Sequence, residues 1–264
     1  MSRRVPSVPA PSQAPPPRGR ARRALREARG RPIAHAHGGV AHRTHLSAVG
    51  VTRADIRTEV EADRWVRRGK HTIQLGTGEL TEQARHWMAV WESGSGAVLD
   101  GVSALIASGL SGFTYQYIDV AIPDRSRRHR VPEVRLHRRR VVGPVIGAGL
   151  PSTRREEAAL RAALWAVSDR QGMYLLCLAI QQGLVDPARI WRIKDTLPPH
   201  RRRQLLLTAW RDICDGAHSL NELDFAAMCR ARGLLGVRLT PDEFMDQVER
   251  GIRMLTARSR PRAG

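Results

Sequence analysis

An α+β chain, mainly helical, is the fold class the sequence predicts, and three patterns predict it. From Thr153 onward apolar residues return every three or four positions, the period of helices that bury one stripe. Short stretches that read as strands fall at 65–66, 72–75, 97–99, 117–122 and 134–137. Between Gly39 and Leu75 helix and strand signals alternate in an order that defines a small module. The expected organisation is a basic, Pro-rich disordered tail (1–21), an N-terminal winged helix-turn-helix (32–80), a small α/β middle region with a basic hairpin (81–153), a helical C-terminal region (154–257) and a frayed end (258–264).

The balance of charge narrows the partners. The formal net charge is +19, and residues 1–80 hold sixteen lysines and arginines against six acids. Such an excess favours polyanions and makes their binding steeply salt-dependent. Nearly all of it is arginine, whose planar fork suits phosphate and guanine edges; lysine occurs only at 70 and 194. Cys177, Cys214 and Cys229 lie far apart in apolar helical patterns, which predicts buried thiols in a reducing compartment. No run of about 18 uncharged apolar residues is present, so no membrane span is predicted, and without an apolar signal core the expected location is cytoplasmic.

In chain order, a helical pattern over 21–37 is interrupted by Gly30-Arg31-Pro32, which predicts a break and a fresh helix near Pro32. A short helix over 42–48 then meets Val49-Gly50-Val51, a tight apolar turn with glycine where a left-handed backbone is easiest. Thr52 sits at an N-cap position and Asp55 completes a capping box for a second helix. Ala54, Ile56 and Val60 are expected to face the partner helix, with Arg53, Arg57, Thr58, Glu61 and Arg64 on the outer side. Trp65-Val66 and residues 72–75 read as two strands joined by Arg67-Arg68-Gly69-Lys70, a basic wing. In this geometry the second helix enters the major groove. Arg53, Arg57 and Thr58 are then candidates for base edges, and Arg64, Arg67, Arg68, Lys70 and His71 for phosphates. His35, His37, His42 and His45 are close in sequence but straddle a helix end, a turn and the next helix without a cysteine or carboxylate, so no metal site is expected.

Further on, Thr81 caps a helix to Glu92 that presents Ala84, Trp87, Met88 and Trp91 on one side. Residues 97–100 read as a strand ending in the N-cap Asp100, before a helix over 101–108. Segments 117–122 and 134–137 read as a hairpin whose connection and flank, 123–141, hold eight arginines against Asp124 and Glu133. Asp124, Glu133 and Arg135 imitate a metal-dependent nuclease triplet, but arginine stays protonated and cannot serve as a base. Helices are expected over 154–167, 169–183, 186–196, 199–214, 219–232 and 241–257, with Leu160, Leu164, Trp165, Met173, Leu176, Ile180, Leu205, Trp210 and Leu223 in the core. No phosphate loop, GxSxG, HExxH or paired-cysteine pattern occurs, so neither enzyme activity nor a cofactor is expected.

The segment GGVAHRTHLSAVGVTRADIRTEVEADRWVRRGKHTIQL resembles the N-terminal winged-helix domain of AbiEi-type antitoxins, the actinobacterial antitoxins of type IV toxin–antitoxin systems. The likeness runs on through AVLDGVSALIASGL, YIDVAIP, VPEVRLH, GLPSTRREEAALRAALWA and SLNELDFAAMCRARGL, most of residues 33–235. It implies promoter DNA as the ligand of the winged domain, commonly for autorepression, and a nucleotidyltransferase-like toxin as partner. Many such relatives continue into an endonuclease-like domain related to very-short-patch repair enzymes, and Glu222 matches an acid of that site. Here no strand-rich acidic motif follows Leu235, only one more amphipathic helix and a basic tail. The expected function is therefore sequence-specific binding of double-stranded DNA by a transcriptional autorepressor and antitoxin-like protein. The alternatives are a remnant metal-dependent endonuclease using Glu222 and Asp224, and a toxin-binding scaffold without DNA recognition.

Overall fold

The computed structural model describes residues 19–126, 130–143, 145–146, 149–193 and 199–214. The chain divides into two compact units, Met1–Glu92 and Ser93–Gly264. Both mix helix and sheet, and the described chain is α+β with helix predominant. The expected helices over 219–232 and 241–257, Leu223, the carboxylates Glu222 and Asp224, the end 258–264 and residues 1–18 of the expected tail lie outside the described residues.

The first unit runs α1 (Arg20–Ala36), β1 (Val40–His42), α2 (Arg43–Ala48), α3 (Arg53–Glu61), β2 (Val66–Arg67), β3 (Thr72–Gln74) and α4 (Glu82–Ser93). Its three strands form an antiparallel sheet in the order β1-β3-β2, with Val40 and Val66 both opposite Gln74. Ala41, Leu46, Val51, Ile56, Trp65 and Ile73 form one buried cluster drawn from β1, α2, α3 and β3 and from the turns before α3 and β2. Each large side chain there contributes about 1.5–3 kcal/mol by leaving water.

Two expectations about this unit are corrected. The helix does not break at Pro32: α1 is continuous from Arg20 to Ala36 with the proline inside. A proline in a helix interior costs about 3 kcal/mol. Packing on both sides of it offsets this, with Arg26 bound to Asp55 and Glu59 before it and Ile33 and Ala34 turned to the core after it. The inner face of α3 also differs, since Ala54 is exposed while Asp55 and Glu59 are buried. Ionic partners on α1, distant in sequence, reverse the polarity that a hydrophobic pattern assigns to those positions.

In the second unit β4 (Val98–Leu99), β5 (Ile118–Pro123), β6 (Val134–Arg139), β7 (Val145–Ile146) and β8 (Ser152–Thr153) make a five-stranded sheet in the order β6-β5-β4-β8-β7. Helices α5 (Gly101–Ala107), α6 (Arg155–Trp165), α7 (Asp169–Gln181), α8 (Pro187–Ile193) and α9 (Arg203–Cys214) complete it. Leu160, Leu164, Leu176 and Trp210 are buried as expected, whereas Trp165, Met173 and Ile180 are half-buried.

Strands β5 and β6 are not a hairpin. They pair in parallel, Ile118 opposite Val134 through Pro123 opposite Arg139. The ten residues between them can retrace a six-residue strand of about 20 Å, because an extended chain spans about 3.3 Å per residue. Asp100 caps α5 as the sequence predicts, and its burial is complete. Its Oδ1 accepts from the Gly101 N–H at 2.8 Å, the Thr153 hydroxyl at 2.9 Å and Arg161 Nε at 2.7 Å. Asp119 forms a second ionic knot, accepting from both Arg135 Nε and His137 Nε2 at 2.7 Å. The nuclease-like triplet is thereby dissolved, since Arg135 belongs to Asp119 and not to Asp124 or Glu133.

Candidate nucleic-acid interface

The turn between α2 and α3 is as tight as its sequence requires, with Gly50 at φ 79° and the Val51 N–H donating to the Leu46 carbonyl at 2.9 Å. The capping box that starts α3 is complete. Asp55 N–H donates to Thr52 Oγ1 at 3.1 Å, and the Thr52 N–H and hydroxyl donate to Asp55 Oδ2 at 3.0 and 2.6 Å. Two arginines of α1 fix the same helix from behind. Arg26 reaches both Asp55 and Glu59, and Arg22 adds a second cation to Asp55. The outer face of α3 is left to Arg53, Ala54, Arg57, Thr58 and Glu61, all exposed.

These contacts set a pH response. Burial, the largest influence on Asp55, would raise its pKa, but the Thr52 and Arg26 hydrogen bonds and the Arg22 charge outweigh it and hold the carboxyl at about 2. Glu59 is also lowered, burial again opposed by Arg64 and Arg26. A depressed folded pKa means stability that is full above the unfolded value near 4 and is lost as pH falls towards 2. Asp55→Asn is expected to remove on the order of 1–2 kcal/mol at neutral pH, allowing for screening of the exposed Arg22. Urea titrations should show the deficit shrinking between pH 4 and 2, and a pH-independent deficit would refute the assignment.

The turn between β2 and β3 is seated on α4. Glu92 accepts from the Lys70 N–H at 2.9 Å, the His71 N–H at 2.8 Å and the Thr72 hydroxyl at 2.7 Å. Gly69 lets the carboxylate in, since a Cβ there would fall 2.4 Å from Glu92 Cδ. The helix that the sequence assigns to the middle region therefore packs with the first unit, because its last acid accepts three bonds from the β2–β3 turn and the start of β3.

The structure sorts the eight sequence-predicted residues into three groups. Arg53, Lys70 and Arg67 come together with Arg43 around one concavity of about 190 Å³ whose apolar lining is Ile56 and Ile73. None of these four cations has a carboxylate partner among the described residues. Arg57 and Thr58 lie farther along the exposed face of α3, Arg57 within 3.9 Å of Glu61 and the Thr58 hydroxyl donating to the Ala54 carbonyl at 2.9 Å. The remaining three are engaged internally. Arg64 turns to Glu59, which raises its pKa by hydrogen bonding. Arg68 donates to Gln74 Oε1 at 2.7 Å and the Gly78 carbonyl at 3.0 Å. His71 stacks on His42 with ring centroids 5.4 Å apart.

Sequence patterning does not single out Arg43, because it is a single cation beside two histidines. Its signal is positional: a basic first residue of α2, immediately after a strand that ends against β3, with His42 opposite Thr72.

His37, His42, His45 and His71 gather with Trp87 and Trp91 in one ring cluster, with neighbouring centroids between 4.4 and 5.9 Å. Among the described residues no three His, Cys, Asp or Glu side chains are arranged to hold a metal. His42 instead caps α2, its Nδ1 accepting from the Thr44 N–H at 3.2 Å. Burial first, then the charges of His45, His71 and Arg43, lower the His42 pKa; burial also lowers His37. Both favour the neutral ring in the folded state, so stability is full above pH 6.5 and declines as pH falls below it. His42→Asn keeps a capping acceptor and is expected to flatten the decline in melting temperature between pH 7 and 5; an unchanged decline would contradict this role.

No family model matches the chain, and no curated protein matches it. Among solved structures, the crystal structure of the RV2827C protein from Mycobacterium tuberculosis is similar at a TM-score of 0.42 and 17% identity, over 76% of this chain and 81% of that one. No helix among the described residues is long and apolar enough to cross a membrane.

Proposed function

We propose that the Met1–Glu92 unit is a winged helix-turn-helix that binds double-stranded DNA, and that the chain is a transcriptional regulator acting on its own promoter in the manner of an antitoxin. In this reading α3 enters the major groove and offers Arg57 and Thr58 to base edges, while Arg53, which the sequence assigns to a base edge, turns to the phosphates. The carrying observation is the convergence of Arg43, Arg53, Arg67 and Lys70, from α2, α3, β2 and the wing turn, on one concavity without a carboxylate partner among the described residues. Four uncompensated cations around a small hollow suit the phosphate backbone beside the groove that α3 would occupy. Arg64 and Arg68 are assigned to support, and Arg43 takes the clamping part that the sequence gives to Arg64.

A gel shift with the DNA upstream of its own coding sequence tests the reading. A discrete complex that survives excess unrelated duplex is the expected result, and equal competition by any duplex would remove sequence recognition. Arg57→Ala is expected to lose about 1–3 kcal/mol of discrimination at one base position while binding to random duplex is kept. Selection from a randomised duplex library reads this directly, and an unaltered preferred sequence would place Arg57 off the bases. The antitoxin part rests on the family resemblance; co-purification with a nucleotidyltransferase-like product of a neighbouring gene tests it.

A further inference from the structure

We infer that the Ser93–Gly264 unit carries a separate binding site for a small flat ring bearing a carboxylate, in a cavity walled by Phe113, Tyr115, Tyr117 and Trp165. Its volume is about 320 Å³, within the range of small-molecule sites and too small for a macromolecular ligand. None of its lining residues is among those assigned to DNA, so the two sites are independent.

The walls are fixed in advance. The segment that supplies Phe113, Tyr115 and Tyr117 is tied at its start to α7. There the Ser111 N–H donates to Gln182 Oε1 at 2.9 Å, Gln182 Nε2 returns a bond to the Ser111 carbonyl at 2.9 Å, and the Tyr174 hydroxyl donates to the Gly112 carbonyl at 3.3 Å. Trp165 is held from two sides. His137 stacks on it in parallel at 3.5 Å, and a Cβ on Gly101 would fall 2.9 Å from its ring. A ligand entering this space has little ordering cost to meet, and aromatic walls favour a flat ring by stacking and edge contacts.

The charge at the wall selects the substituent. Arg135 spends Nε and Nη2 on Asp119, at 2.7 and 3.1 Å, which leaves Nη1 without a partner among the described residues. Both Asp119 and Arg135 line the cavity, but the Arg135 side chain is 43% exposed and the Asp119 side chain 1%, so the cation is the more accessible of the pair. One free guanidinium nitrogen suits a single carboxylate, because further negative charge would meet the field of Asp119 in the same wall. A ring carboxylate can therefore satisfy Nη1 while its apolar face rests on the tyrosines.

The test uses the full chain with salicylate, phenol and acetate as probes, followed by saturation-transfer NMR and calorimetry. Salicylate is expected to saturate with a Kd of about 1 mM or below, and phenol and acetate, each lacking half of the match, to bind at least about tenfold more weakly. Arg135→Lys cannot keep two bonds to Asp119 and offer a third, and is expected to weaken salicylate about tenfold. Ala166→Leu fills the cavity without touching the ion pair and is expected to abolish binding while the circular dichroism spectrum is unchanged. Equal binding of phenol or acetate, no saturable binding of any probe up to about 10 mM, or unaltered salicylate binding by Ala166→Leu would each overturn the inference.

Discussion

Replacing Arg53, Arg67 and Lys70 together with alanine is expected to weaken binding to any duplex on the order of a hundredfold at physiological salt. The slope of log K against log salt should flatten by about 0.9 for each phosphate that is no longer neutralised. The three side chains are exposed and have no carboxylate partner among the described residues, so the melting temperature should hardly move. Adding Arg43→Ala should flatten the slope by about 0.9 again. Arg64→Ala gives the contrast: its guanidinium is committed to the buried Glu59, so it should lower stability and leave the salt slope nearly intact. Fluorescence anisotropy over a range of salt concentrations measures the slopes, and urea denaturation the stability. If the triple variant keeps the parent slope, the concavity is not a phosphate site and the DNA reading loses its main support.

Arg161→Ala should be the most damaging single substitution in the second unit. Asp100 is fully buried and Arg161 nearly so, and removing the cation leaves a carboxylate whose remaining partners are the Gly101 N–H and the Thr153 hydroxyl. Breaking a buried pair from one side costs about 3–5 kcal/mol, a large part of the stability of an ordinary domain. Asp100→Asn combined with Arg161→Leu removes both charges and should recover a substantial part of that loss, since the penalty lies in the stranded charge more than in the missing attraction. Urea denaturation of the full chain reads the difference. A loss below about 1 kcal/mol for Arg161→Ala, or no recovery in the double variant, would show that the pair is solvated and not structural.

The features legible in the sequence are those whose causes lie within a turn or two of chain. Thr52 and Asp55 announce their capping box, Asp100 its N-cap and Gly50 the tight turn, because each satisfies backbone groups three residues away or less. The long C-terminal helices up to residue 214 follow their apolar period for the same local reason. Strand β1 is too short for periodicity to reveal: three residues become a strand only because Thr72–Gln74 offers them a ladder. The parallel pairing of β5 and β6 is equally hidden, since ten connecting residues permit either a loose hairpin or a return crossing.

The candidate site divides along the same line. Composition and the order of elements are enough to mark α3 and its adjoining hairpin as the basic surface, because charge and capping are properties of the local chain. Which arginines are free could be decided only by the tertiary structure, because a guanidinium is released or captured by whatever carboxylate folding brings to it. Glu59, Gln74 and Glu92 come from different elements, and they retire Arg64, hold Arg68 and seat the β2–β3 turn that carries Lys70. Arg43 joins Arg53, Arg67 and Lys70 through the pairing of β1 with β3, a long-range pairing that no spacing along the chain encodes.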